Sequence, residues 1–195
     1  MSKSLAGNVD APESRSLPAH NRPVTPLRIY LAGPDVFRPD AAAHGRRLVA
    51  LCAQFGFEGV FPLAEKLPDL ATPQDVARHI YQANVAHIDA CGAVLANLDF
   101  FRGPEPDSGT CFEIGYAVAR GKMVIGYVPE GGTFAQRIRQ RHPHAVGAGL
   151  HDADGWHLEE FGLPLNLMLA VPGRIVVGDL RAALVALREQ LEGTS

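Results

Sequence analysis

Cysteine is scarce in this chain: Cys52, Cys91 and Cys111 are an odd number, and none share a CxxC spacing. That argues against a disulfide framework or a cysteine-built zinc site and suits a reducing compartment. Positive charge is not in excess either. Eighteen Lys and Arg stand against 21 Asp and Glu, a formal net charge of −3. Such a balance leaves no electrostatic footprint for nucleic acid or an anionic membrane. No apolar run approaches the ~20 residues that span a bilayer. The dinucleotide fingerprint GxGxxG and the phosphate-loop endings GKS and GKT are missing. There is no internal repeat, and no composition shift marks a second domain.

What is present is a globular composition: 195 residues, 47% of them hydrophobic, enough for one domain with a sizeable core. Residues 1–26 are rich in Ser, Pro, Ala and Asn and lack the apolar core of a secretory signal. We expect a flexible tail there, a single domain over 27–195, and a cytoplasmic location.

Apolar runs at 27–32, 57–61, 93–96, 123–127 and 174–177 read as short strands. Amphipathic stretches lie between them. Leu48, Leu51, Cys52 and Phe55 recur at helical spacing before Gly56. Thr72, Pro73 and Asp75 open a helix through a capping pattern with proline at its first position. On that helix Val76, Ile80 and Ile88 form a stripe, and the amide of Asn84 interrupts it. Further helices are expected near 134–141, after Pro164, and along Leu180, Leu184, Leu187 and Leu191. Strands alternating with helices, without a hairpin signal, predict an α/β fold. The expectation is a flavodoxin-like, doubly wound five-stranded parallel sheet of order 2-1-3-4-5. In that order ligands bind at the carboxyl ends of the first and third strands. Gly33-Pro34-Asp35 and the loop from Asp99 to Asp107 meet there.

The chemistry concentrates in that loop and the helix after it. A helix opening near Thr110 puts Glu113 in its first turn. Thr110 and Glu113 have capping-box spacing, so Glu113 can be read as a cap. It can equally be read as a nucleophile whose ionised form the helix N-terminus favours. Asp107 is a second carboxylate on the same turn, competing with Ser108 to cap the helix. Two carboxylates facing one pocket are equipment for breaking a glycosidic bond, although acidic loops at sheet ends also hold magnesium. Tyr30, ending the first strand, reads as a half-buried strand tyrosine or as a hydroxyl aimed at the crevice. Arg102 reads as a loop ion pair with Glu105 or Asp99, or as a phosphate contact.

Three segments together resemble the nucleoside 2-deoxyribosyltransferase family: IYLAGPDVF (29–37), NLDFFRGPEPDSGTCFEIGYAVARGK (97–122) and FGLPLNLML (161–169). The likeness runs from about Leu27 to the C-terminus. It is nearest to the branch with an FRGxEPD loop and a GLPxNLML segment. The resemblance implies that Glu113 attacks C1′ of a 2′-deoxynucleoside, with Tyr30 orienting it and Asp107 holding a sugar hydroxyl. It implies that Gly33 and Phe37 border the base, with Asn84, Asp99, Arg102 and Gly109 also about the substrate. Asn166 and Met168 match residues that reach a neighbouring subunit's site, which implies a homo-oligomer. Substrates would be a 2′-deoxynucleoside and a free nucleobase, with no metal or organic cofactor.

Some relatives carry an aspartate where this chain has Asn84. An amide can hydrogen-bond a base but cannot deliver a proton. The leaving-group acid therefore stays open between Asp99, Asp35 and water. Two alternatives share the fold: a nucleoside or 5′-monophosphate N-glycohydrolase using the same nucleophile, and a nucleotide-sensing module without turnover.

Overall fold

A computed structural model describes residues 25–63 and 72–193; the tail expected over residues 1–26 lies almost wholly outside them. Five strands form one parallel sheet: β1 (Arg28–Ala32), β2 (Glu58–Val60), β3 (Ala93–Asn97), β4 (Met123–Val128) and β5 (Arg174–Val177). Their order is β2-β1-β3-β4-β5, all neighbours parallel, as the alternation of elements predicts. The fold is flavodoxin-like.

The period-2 geometry of the strands splits the core in two. Ile29 and Leu31 of β1, Leu95 of β3 and Ile125 of β4 face helices α1 (Ala41–Gln54) and α6 (Leu180–Glu192). Tyr30, Ala32, Val94, Ala96 and Val124 face the other way, against α2 (Pro73–Ala90) and α3 (Ser108–Ala119). Both faces of the sheet are covered, so the central strands are apolar throughout rather than alternating.

Helix α2 begins as its sequence signals require. The Thr72 side chain accepts from Asp75 N, and Pro73 occupies the first turn. Its far end is tied to α3 and β4. Lys122 Nζ donates to the carbonyls of Asp89 and Cys91 at 2.7 and 2.6 Å. Asp89 accepts from Tyr116 Oη at 3.0 Å and from Arg120 Nε at 2.8 Å. Cations suit the carbonyl end of a helix. Helix α3 stops where Gly121 takes φ +66°, a conformation glycine adopts without steric cost, and Lys122 N donates back to Ala117 O.

Helix α3 starts earlier than the sequence suggests. Its N-cap is Asp107, whose side chain accepts from Thr110 N, so Glu113 sits in the second turn rather than the first. The carboxylate that competed for the cap wins it, and the Thr110–Glu113 capping box does not form.

After β4, Thr133 and Gln136 close a complete capping box on α4 (Phe134–Arg141). The following segment is not featureless: isolated antiparallel bridges join Val146 to Asp152 and His151 to His157. The strap before the short α5 (Leu167–Ala170) is pinned by Phe134 N to Leu163 O at 2.7 Å and by the buried Arg137 to Pro164 O at 2.8 Å. Among the described residues no helix is long and apolar enough to cross a membrane.

Candidate active site

A cleft of about 370 Å³ opens on the α2–α3 side of the sheet, beside the carboxyl ends of β1 and β3. Its size suits a small organic ligand. One wall comes from Gly33, Val36 and Phe37 after β1, and Pro62 and Leu63 after β2 close an edge. Helix α2 supplies His79, Ile80, Ala83, Asn84 and His87. Asp107, Gly109, Thr110 and Glu113 complete it from α3 and its cap. The amide on the apolar stripe of α2 thus has its reason, for Asn84 and Ile80 face the cleft rather than the core.

At the bottom of the cleft, Tyr30 Oη donates to Glu113 Oε1 at 2.5 Å. The tyrosine is fully buried, so the sequence alternative of a half-buried strand residue does not hold. Parity places it there: odd-numbered β1 residues face α1 and α6, and even-numbered ones face α3. Burial raises the Glu113 carboxyl to about 7; the Tyr30 hydrogen bond opposes that rise, and the nearby Asp107 charge adds to it. Glu113 lies in the second turn of α3, one turn further from the first N–H groups than the sequence suggests. The Tyr30 hydroxyl is pushed upward by burial first and then by Glu113, and so stays a donor.

Asp107 Oδ2 accepts from both the backbone N and Oγ1 of Thr110, at 2.9 and 3.0 Å. It therefore caps α3 and faces the cleft at once. Gly33 lets the chain pass close to β3. It has φ +153°, and a Cβ built there would lie 2.8 Å from Asn97 Cβ.

Three residues singled out in sequence sit elsewhere. Asp99 lies beyond the cleft wall, paired with Arg141 and accepting from Phe100 N. Asp35 is also outside the cleft; it accepts from Asn97 Nδ2 at 2.9 Å and lies 3.0 Å from His44 Nε2. Arg102 does not pair with Glu105 or Asp99, because Arg141 occupies Asp99. Its guanidinium lies over the rings of Phe101 and Phe37, at 4.5 and 5.0 Å, and those rings stack at 5.3 Å. Arg102 thus touches the cleft wall at Phe37 without lining the cleft itself.

Asn166 and Met168 do not line their own chain's cleft. Asn166 caps α5, accepting from Met168 N at 2.9 Å and donating to Glu159 Oε1 at 2.8 Å. Met168 is 72% exposed. His79 and His87 were missed. The signal that locates His87 is its spacing: Ile80, Ala83, Asn84 and His87 recur at i, i+3, i+4 and i+7. Among the described residues no group of three or more His, Cys, Asp or Glu could hold a metal ion.

The profile of the nucleoside 2-deoxyribosyltransferase family matches residues 29–168, which contain every wall of this cleft. The chain belongs to that family. A 2-desoxiribosyltransferase from Leishmania mexicana superposes with TM-score 0.64 and 31% identity, covering 84% of this chain and 98% of that one. An uncharacterized protein of Schizosaccharomyces pombe is 30% identical over 155 residues, 72% of this chain and 74% of its own length. A conserved protein from Enterococcus faecalis shares the fold at TM-score 0.55 and 22% identity, over 85% of this chain and 99% of its own. As a family member the chain is an enzyme of the deoxyribosyltransferase kind.

Proposed function

We propose that this enzyme moves a 2-deoxyribosyl group between nucleobases through a covalent ester on Glu113. The observation that carries the reading is the 2.5 Å bond from Tyr30 Oη to Glu113 Oε1 at the floor of the cleft. That bond orients one carboxylate oxygen and favours its ionised form. A Glu113 oxygen bonds to C1′ while the C1′–N bond breaks, its electron pair leaving with the base. A nitrogen of a second base then bonds to C1′, the ester C1′–O bond breaks, and Glu113 recovers its carboxylate. Two inversions give net retention.

Asp107 holds a sugar hydroxyl. Gly33, Phe37 and Asn84 frame the base, and Gly109 keeps the wall of the sugar site low. Asp99 and Arg102 shape the rim from behind Phe37. A neighbouring subunit completes the site with its Met168. Its Asn166 reaches the same site: the amide gives one N–H to Glu159 and accepts from Met168 N, and its second N–H serves the sugar. The substrates are a 2′-deoxynucleoside and a free base, and this chemistry draws on no metal or organic cofactor.

The test is a chromatographic assay of deoxyinosine with and without adenine, using wild type and Glu113→Ala. Deoxyadenosine from wild type plus adenine alone is the expected result. Release of hypoxanthine and deoxyribose without adenine would mean that water resolves the ester, as in an N-glycohydrolase. Silence on deoxyinosine, pyrimidine deoxynucleosides and 5′-monophosphates would leave a binding module. Full activity in Glu113→Ala would overturn the covalent route.

A further inference from the structure

Cleavage of an N-glycosidic bond needs a proton for the departing base, and the cleft narrows where that proton comes from. Asn84 has none to give, and Asp35 and Asp99 lie outside the cavity, occupied by other partners. Among the described residues that line the cleft, four carry an acid or base side chain: Asp107, Glu113, His79 and His87. Glu113 is taken by the bond to C1′, and Asp107 is engaged by Thr110.

Two contacts between α2 and α3 separate the histidines. Tyr81 meets Phe112 with ring centroids 5.9 Å apart, and Asp89 meets Tyr116 at 3.0 Å. Between these brackets lie Ala83, Asn84 and His87 on α2 and Glu113 on α3; His79 lies outside them. His87 is also one turn from Asn84 on the cleft-facing stripe, whereas His79 stands on its flank. His87 is exposed on its outer side, so solvent can restore its proton.

We infer that His87 is the general acid that protonates the departing base, and the general base that deprotonates the incoming one. The inference rests on the deoxyribosyl-transfer reading. As the C1′–N electron pair moves onto the base, an imidazolium N–H of His87 gives its proton to a base heteroatom. The imidazole left behind takes the N–H proton of the second base as that nitrogen attacks C1′, so transfer closes the proton cycle. The charged or titratable groups around His87 are Asp107 and Glu113 from α3, Tyr30 from β1, and Asp89 on α2, itself bonded to Tyr116 and Arg120.

The experiment compares wild type, His87→Gln and His79→Gln on two donors with adenine as acceptor. One donor is deoxyinosine, or thymidine if only that is turned over. The other is 4-nitrophenyl 2-deoxyriboside, whose phenolate departs without a proton. The rate of donor cleavage and the pH profile of kcat/KM are both read. His87→Gln is expected to lose on the order of 100-fold on the nucleoside. It should stay within about threefold on the aryl donor and lose the alkaline decline of kcat/KM expected of wild type. Equal losses on both donors would overturn the inference, since His87 would then serve binding or folding. An unchanged nucleoside rate would overturn it too, as would finding the pattern in His79→Gln instead. If the aryl donor is not cleaved, the alkaline limb alone decides, and its persistence in His87→Gln overturns the inference. A wild type silent on every donor would defeat the transfer reading and this one with it. Loss confined to His87→Gln leaves the Glu113 reading untouched.

Discussion

Tyr30 and Glu113 are 83 residues apart in sequence and 2.5 Å apart in space, joined by a hydrogen bond beneath the cleft. The bond opposes the burial that pushes the Glu113 carboxyl up to about 7. Removing it with Tyr30→Phe should raise that carboxyl further, so less nucleophile is ionised at neutral pH. The acid limb of kcat/KM should therefore move to higher pH. For a rise of about one unit we expect a loss of roughly fivefold at pH 7 that narrows by pH 9, as the ionised fraction recovers. A pH–rate profile of the two proteins checks this, and an unmoved limb would sever Tyr30 from the ionisation of Glu113.

The same burial has a cost in stability. Glu113 is raised from an ordinary 4.5 to about 7 on folding. The unfolded chain therefore releases this proton more readily than the folded one, and the native state loses ground as pH rises from about 4.5 through about 7. Glu113→Gln retains an acceptor for Tyr30 and has nothing to ionise. It should match wild type near pH 4 and be more stable at pH 8, by up to about 3 kcal/mol on the linkage relation. Urea unfolding at the two pH values measures the difference. Equal stability at pH 8 would mean that Glu113 is ionised in the native state without penalty.

Asp107 carries two duties that substitution can separate. Asparagine caps a helix as well as aspartate does, so Asp107→Asn should keep the melting temperature while Asp107→Ala loses about 1 kcal/mol. Both remove the negative charge that raises Glu113. Both should accordingly shift the acid limb of kcat/KM to lower pH, the reverse of Tyr30→Phe. Thermal melts and pH profiles run together distinguish the two duties.

How much of this was legible in sequence follows from the range of each interaction. The strands and helices were, because they rest on local periodicity and caps such as Thr72 and Gly121. The sheet order followed from the alternation of elements and the handedness of crossovers. The start of α3 was misplaced because Asp107 and Thr110 are both good caps, and only the chain path chooses Asp107. The partnership of Tyr30 and Glu113 left no trace in spacing, since it depends on strand parity and on helix placement across the sheet; family resemblance supplied it. The stacking of Arg102 was not legible because such a site needs Phe37 and Phe101 brought together from two separate segments. His87 passed unnoticed among eight histidines, although its spacing from Asn84 was in plain view.

Arg102 offers a further test of what stands behind the cleft wall. Its planar guanidinium covers Phe37 and Phe101, a role that a lysine ammonium does not reproduce. Arg102→Lys and Arg102→Ala should both raise KM for the nucleoside several-fold, with kcat falling less, because Phe37 loses its backing. A direct phosphate contact predicts otherwise: a loss confined to 5′-monophosphate substrates, with Arg102→Lys largely preserved. Steady-state kinetics on a deoxynucleoside and its monophosphate separate the two.

The exposed Met168 tests whether one subunit completes another's site. It is 72% exposed, lies outside its own chain's cleft, and rides on a strap pinned by Arg137 and Glu159. Met168→Asp should lower activity while leaving the fold intact, since its own chain does not bury the side chain. Glu113→Ala should be inactive for a different reason. In a mixed assembly of the two, a site can combine an intact Glu113 from one subunit with an intact Met168 from the other. Unfolding and refolding the variants together should then restore activity, to about a quarter of wild-type sites for a symmetric dimer with random pairing. Mixtures no more active than their parts would place Met168 outside any shared site, and the completion of the cleft would have to be sought within one chain.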